Sequence, residues 1–129
     1  MKNLFTLLTV LLLSQSLISQ LSLDLEKSKI KWTGKKITNA SHWGSLSFSE
    51  ANLEFDGNDL IGGKFVVDMN TMSVDDIQGR GKQRLEGHLR NEDFFDVNNH
   101  KEAILMFDQR VPLTNGVYEV SGSLTIKGI

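Results

Sequence analysis

The chain has no cysteine at all. Disulfides, thiol catalysis and thiolate metal sites are therefore excluded, and so is a lipid-modified N-terminal cysteine. A single proline among 129 residues leaves no proline-rich linker, and neither an internal repeat nor a low-complexity tract is present. Charge of one sign is also missing: 14 basic residues face 16 acidic ones, for a net charge of −2. A nucleic-acid partner, which asks for a basic face, is not expected. No apolar run reaches the roughly 20 residues of a membrane-spanning helix, so stable membrane insertion is not expected either.

Catalytic signatures are equally scarce. There is no Gly-x-Ser-x-Gly elbow and no Walker-type phosphate loop. His42, His88 and His100 are scattered, and none has a partner at the spacing of a paired metal site. His88 stands near Glu92 and Asp93, which reads as a surface or capping pair. Asp93 and Asp96 flank Phe94-Phe95, where the aromatic pair reads as a packing anchor and the acids as turn or cap residues. No metal, cofactor or enzymatic activity is expected.

The N-terminal stretch differs in character from the rest of the chain. Lys2 precedes an apolar run, Leu4 to Leu13, and small or polar residues come next, through Ser19-Gln20. This is the layout of a secretory signal peptide, so residues 1–19 are expected to be removed and the protein to be periplasmic or secreted. Residues 20–129 form one domain.

Within that domain the dominant period is two. Ile30 and Trp32, Leu46 and Phe48, Leu53 and Phe55, and Phe65, Val67 and Met69 each alternate with mostly polar neighbours. Side chains two apart on a strand share a face, so each segment has one apolar and one wet side. Asp56-Gly57-Asn58-Asp59 and Asn115-Gly116 are turn sequences. The pattern predicts strands near 43–49, 51–56 and 60–70, and a hairpin of 104–111 with 117–126. Between them, Ser73 to His88 reads as a loop leading into a short helix with Leu85 and Leu89 as its buried stripe. The fold class is all-β, an antiparallel barrel with a helical excursion. The last residues, Leu124 to Ile129, are strand-like, and further strands are expected beyond them.

By residues alone, the apolar face is either a filled core or the wall of a ligand tunnel. Gln78 to Arg84 is the one local cluster of positive charge, and its glycines and arginines suit either a solvated loop or an anion site. His42 and Trp43 open a strand and fit a barrel rim or plain packing.

Several blocks taken together are more specific. They are Lys31-Trp32-Thr33-Gly34-Lys35, Ser41-His42-Trp43-Gly44, Gly62 to Met69, Leu85 to Asp96, and Tyr118 to Gly128. In this order and spacing the chain resembles the YceI-like family. His100-Lys101 stand where that family commonly has an aromatic–proline pair ahead of Ala103. The resemblance implies a lipocalin-like barrel with an apolar tunnel that carries a polyprenyl phosphate, an isoprenoid quinone or a similar long-chain lipid without catalysis. The lining it points to is Trp32, Trp43, Phe48, Phe55, Phe65, Val67, Met69, Leu105, Phe107, Tyr118 and Val120. His42, Arg80 and Arg84 are the expected head-group contacts. The rival readings are an envelope interaction module with a solid barrel and a lipid-modifying hydrolase.

Overall fold

The computed structural model describes residues 17–129, so most of the expected signal peptide lies outside the described residues. Among the described residues, six strands and one helix occur in the order β1 (Ile18–Ser22), β2 (Lys29–Lys35), β3 (Ser41–Asp56), β4 (Asp59–Val74), α1 (Gly79–Arg90), β5 (Glu102–Pro112) and β6 (Tyr118–Thr125). Every strand pairing is antiparallel. β1 and β2 lie end to end along the same edge of β3, against Asn52–Asp56 and Ser41–Ser47. β4, β5 and β6 then continue the sheet. The sheet is not closed, and the architecture is that of an incomplete lipocalin-like barrel.

The expected pair of strands around residue 50 is one long strand. Between Phe48↔Val67 and Glu50↔Val66 the register slips by one residue on β3. A bulge of this kind exchanges the faces of the residues beyond it. Leu46 and Phe48 sit at even positions and Leu53 and Phe55 at odd ones, yet the bulge puts all four on one face. The two alternations therefore belong to a single strand.

β4 likewise runs on past the expected end at residue 70, to Val74. Its register jumps from Ser47↔Asp68 to Ser45↔Ser73. The extra residues are held by side chains: Asp68 Oδ1 accepts the Asn70 N–H at 2.9 Å, and Thr71 Oγ1 accepts the Ser47 N–H at 2.9 Å. Met69, Met72 and Val74 are all buried in one cluster with Val67, Leu89, Val97 and Ala103. Trp32, Leu46, Phe48, Ile77, Leu85 and Phe95 pack against it.

The helix begins after a short loop rather than the longer one expected. Leu85 and Leu89 lie four apart and pack into that cluster, as the spacing predicts. His88 and Arg90 occupy the last turn, where the helix dipole favours positive charge. After Asn91 the chain turns back, with the Phe95 N–H bonded to the Leu89 carbonyl and the Val97 N–H to that of Arg90. Asp96, at φ 47°, accepts the His100 N–H through its backbone carbonyl at 2.8 Å. His100 thus has a defined place in this turn without an aromatic–proline pair.

Candidate functional site

The register assigns each expected lining residue to a face. Trp32 pairs with Gly44, which pairs with Val74. Phe65 pairs with Leu105, and Gly63 with Phe107. These positions, with Phe48, Phe55, Val67 and Met69, share the face that bears the core cluster. On that face the Phe48, Phe65 and Phe107 rings form a row, with centroids 5.4 and 5.9 Å apart. Val120 and Tyr118 continue the face on β6, opposite Arg110 and Pro112, but Tyr118 is 39% exposed there.

Trp43 departs from the expectation. It pairs with Thr33 on the opposite face, is 41% exposed, and carries the Lys31 ammonium 4.4 Å from its ring centroid. The alternation next to Trp32 requires this, because a residue whose neighbour Gly44 faces the core must itself face out. The outer face is mixed: Glu50 and Lys64 are paired at 3.3 Å, and the apolar Val66, Ile104 and Met106 lie beside them, Val66 buried and Met106 exposed.

Gly44 fits its place by having no side chain. A Cβ there would overlap the Ser73 carbonyl and the Trp32 ring. The same closeness lets Trp32 Nε1 donate to the Ser73 carbonyl at 3.1 Å. The bond anchors the indole to β4, and the ring borders open space.

That space is a groove between the sheet and α1. Its outer part, about 480 Å³, is lined by Lys36, His42, Ile77, Gly81, Arg84, Leu85 and His88. A middle part of about 180 Å³ shares Lys36, His42, Leu85 and His88 and adds Trp32, Leu89 and Phe94. The inner part, about 190 Å³, is walled by Trp32, Leu46, Met72, Leu89, Phe94 and Phe95. The three share walls, with Lys36 and Arg84 at the mouth and mainly apolar residues at the inner end.

Of the expected head-group residues, His42 and Arg84 meet at this mouth, whereas Arg80 is exposed and lies outside its lining. Sequence reasoning missed Lys36, Leu85, His88 and Phe94 as groove residues. The signal was present in part, since Gly81, Arg84, Leu85 and His88 have the three-four spacing of one helical face. His88 was expected to pair with acids, but its ring instead lies 5.6 Å from that of Phe94.

Two polar contacts hold the mouth. His42 Nδ1 and Asp76 Oδ2 are 2.9 Å apart, joining β3 to the segment before the helix. Burial pushes the Asp76 carboxyl upward, but bonds from His42 and from the Trp43 and Asp76 backbone N–H groups outweigh it and hold it below the ordinary value. Asp75 is also held low, chiefly by hydroxyl bonds from Ser73 and Ser45 and further by Lys82 and Lys29. A base beside an acid is two-thirds of a hydrolytic relay, but no serine or threonine lines the mouth beside His42.

The family model of the YceI-like domain matches residues 21–129. No curated protein matches the chain.

Proposed function

Because the chain belongs to the YceI-like family, we propose that it binds a long apolar lipid of isoprenoid type, without catalysis, in the bacterial envelope. Membership supports lipid binding at the level of the family. The observation that carries the reading to this chain is the groove under α1, whose walls change from charged and polar at the mouth to apolar at the inner end. An apolar chain buried there gains about 0.8 kcal/mol for each methylene-sized unit, with few polar contacts needed. Trp32, Leu89, Phe94 and Phe95 are the walls that such a chain meets first. The row of Phe48, Phe65 and Phe107, with Leu105 and Val120 beside it, extends the apolar surface along the open sheet.

Periplasmic placement and a cleavable leader belong to the same reading. Among the described residues no helix is long and apolar enough to cross a membrane.

A second reading draws on one feature. The three phenylalanine rings touch, and Phe107 is buried, so the middle of the sheet face is filled by its own side chains. A barrel solid throughout would instead serve as an interaction module.

Mass spectrometry of lipid extracted from protein expressed in a bacterial envelope separates the two. A long-chain isoprenoid or quinone in stoichiometric amount is the expected result. Protein that is empty and also ignores added isoprenoids would leave the solid module.

A further inference from the structure

We infer that the mouth of the groove is an oxyanion subsite, so that the protein selects phosphate-headed amphiphiles over neutral ones of the same chain. The inference rests on the lipid-binding reading and adds the class of head group. Four nitrogen-bearing side chains, Lys36, His42, Arg84 and His88, line one cavity of about 480 Å³, and no carboxylate lines it. Asp76, the acid beside His42, is already engaged by it at 2.9 Å. Two of the four, Lys36 and Arg84, are formal positive charges in a chain whose net charge is −2, so their meeting is not a consequence of overall composition.

The helix adds to the same field. Gly81, in the first turn of α1, borders the cavity. That turn holds no acidic residue, and Gln78 supplies no side-chain cap. Its N–H groups therefore keep their positive end for an anion, which helix N-termini favour. Arg84 offers a planar fork for two oxygens of one phosphate, while Lys36 acts as a mobile point charge from the opposite wall. Behind them the groove turns apolar at Trp32, Leu89 and Phe94. A head bound at the mouth thus places its chain at the apolar end.

The subsite is not the glycine-arginine segment as a unit. Arg84 belongs to it because it lines the cavity. Arg80 does not, although it lies four residues earlier on the same helix.

The test compares two probes with one chain, farnesyl diphosphate and farnesol, by calorimetric titration of the purified full chain. The diphosphate is expected to bind about tenfold more tightly or better, as one or two charged hydrogen bonds supply. Added salt is expected to weaken only that probe. The ratio is expected to fall toward one in the Lys36→Gln/Arg84→Gln variant, checked for folding by circular dichroism, and to persist in Arg80→Ala. Equal binding of both probes would overturn the oxyanion subsite and leave lipid binding standing. Failure of both to bind would overturn the two readings together. A preference that survives Lys36→Gln/Arg84→Gln and disappears in Arg80→Ala would move the anion away from this mouth and overturn the assignment.

Discussion

Glu86 on α1 accepts the backbone N–H of Val74 on β4, with Oε1 2.9 Å from the nitrogen. The bond exists because β5 pairs with β4 only from Gly63 to Asp68, leaving the rest of that edge without a strand. Val74 is opposite Gly44 in a pair whose own N–H groups point outward, as the neighbouring Asp75 N–H bond to the Trp43 carbonyl shows. The helix supplies what a strand would have. One turn later Arg90 donates to the Met72 and Asn70 carbonyls along the same edge.

Removing that acceptor has a definite consequence. Glu86→Ala leaves a buried N–H unpaired, which costs about 1–3 kcal/mol. Glu86→Gln keeps a carbonyl oxygen and is expected to cost less. Urea unfolding measures both, and hydrogen exchange at the Val74 amide should accelerate in the alanine variant alone. Equal exchange in the two variants would mean that the bond does not protect this edge.

Asp75 and Asp76 are expected to contribute to the acid limit of stability. Both carboxyls are held below the ordinary value of 3.8 in the folded protein. A folded-state pKa that is lowered contributes stability above the unfolded value and loses it as pH falls through the folded one. The melting temperature is therefore expected to drop as pH falls below about 4. Asp76→Asn should lower the melting temperature at neutral pH and flatten the acid decline. If the variant and the parent decline in parallel, the carboxylate contributes nothing to that limit.

Gly44 is constrained by contact and not by a turn. Gly44→Val puts carbon into space held by the Ser73 carbonyl and the Trp32 ring. Overpacking of this kind costs about 1–3 kcal/mol, with more where backbone must move. Chemical denaturation reads the loss, and Trp32 fluorescence should change with it because the indole must leave its bond to Ser73. A variant as stable as the parent, with unchanged emission, would show that the strand relaxes freely here.

Most of the sheet was legible because its signal is local. Ile30 and Trp32, or Phe65 and Val67, reveal their face through alternation alone. Ser49 shows where this stops. A bulge has no composition of its own, so the shift from even Leu46 and Phe48 to odd Leu53 and Phe55 resembled two strands with a break. Trp43 faces outward for a related reason: its aromatic character suggests the core, whereas its parity with Leu46 and Phe48 on the same strand places it on the other face. Lys36 and His88 escaped because a groove between a strand end and a helix joins residues far apart in sequence. Only the helical half of that wall has a period to read.

Phe94 tests whether the groove or the open sheet holds the lipid. The side chain is 43% exposed, stacks edge-on against Phe95 at 4.7 Å, and borders both the middle and inner parts of the groove. Phe94→Ala gives up an aromatic pair, which costs about 0.5–1.5 kcal/mol of stability beyond the lost burial. It should also weaken binding, because a bound chain loses one wall of its channel. Titration with farnesyl diphosphate is expected to show affinity reduced about tenfold, the equivalent of roughly two buried methylene groups. Phe65→Leu, on the row of rings away from the helix, should disturb packing while leaving that affinity within about threefold, a difference of under 1 kcal/mol. The reverse pattern, with affinity falling for Phe65→Leu and unmoved by Phe94→Ala, would place the chain on the open sheet and leave the groove as a packing defect.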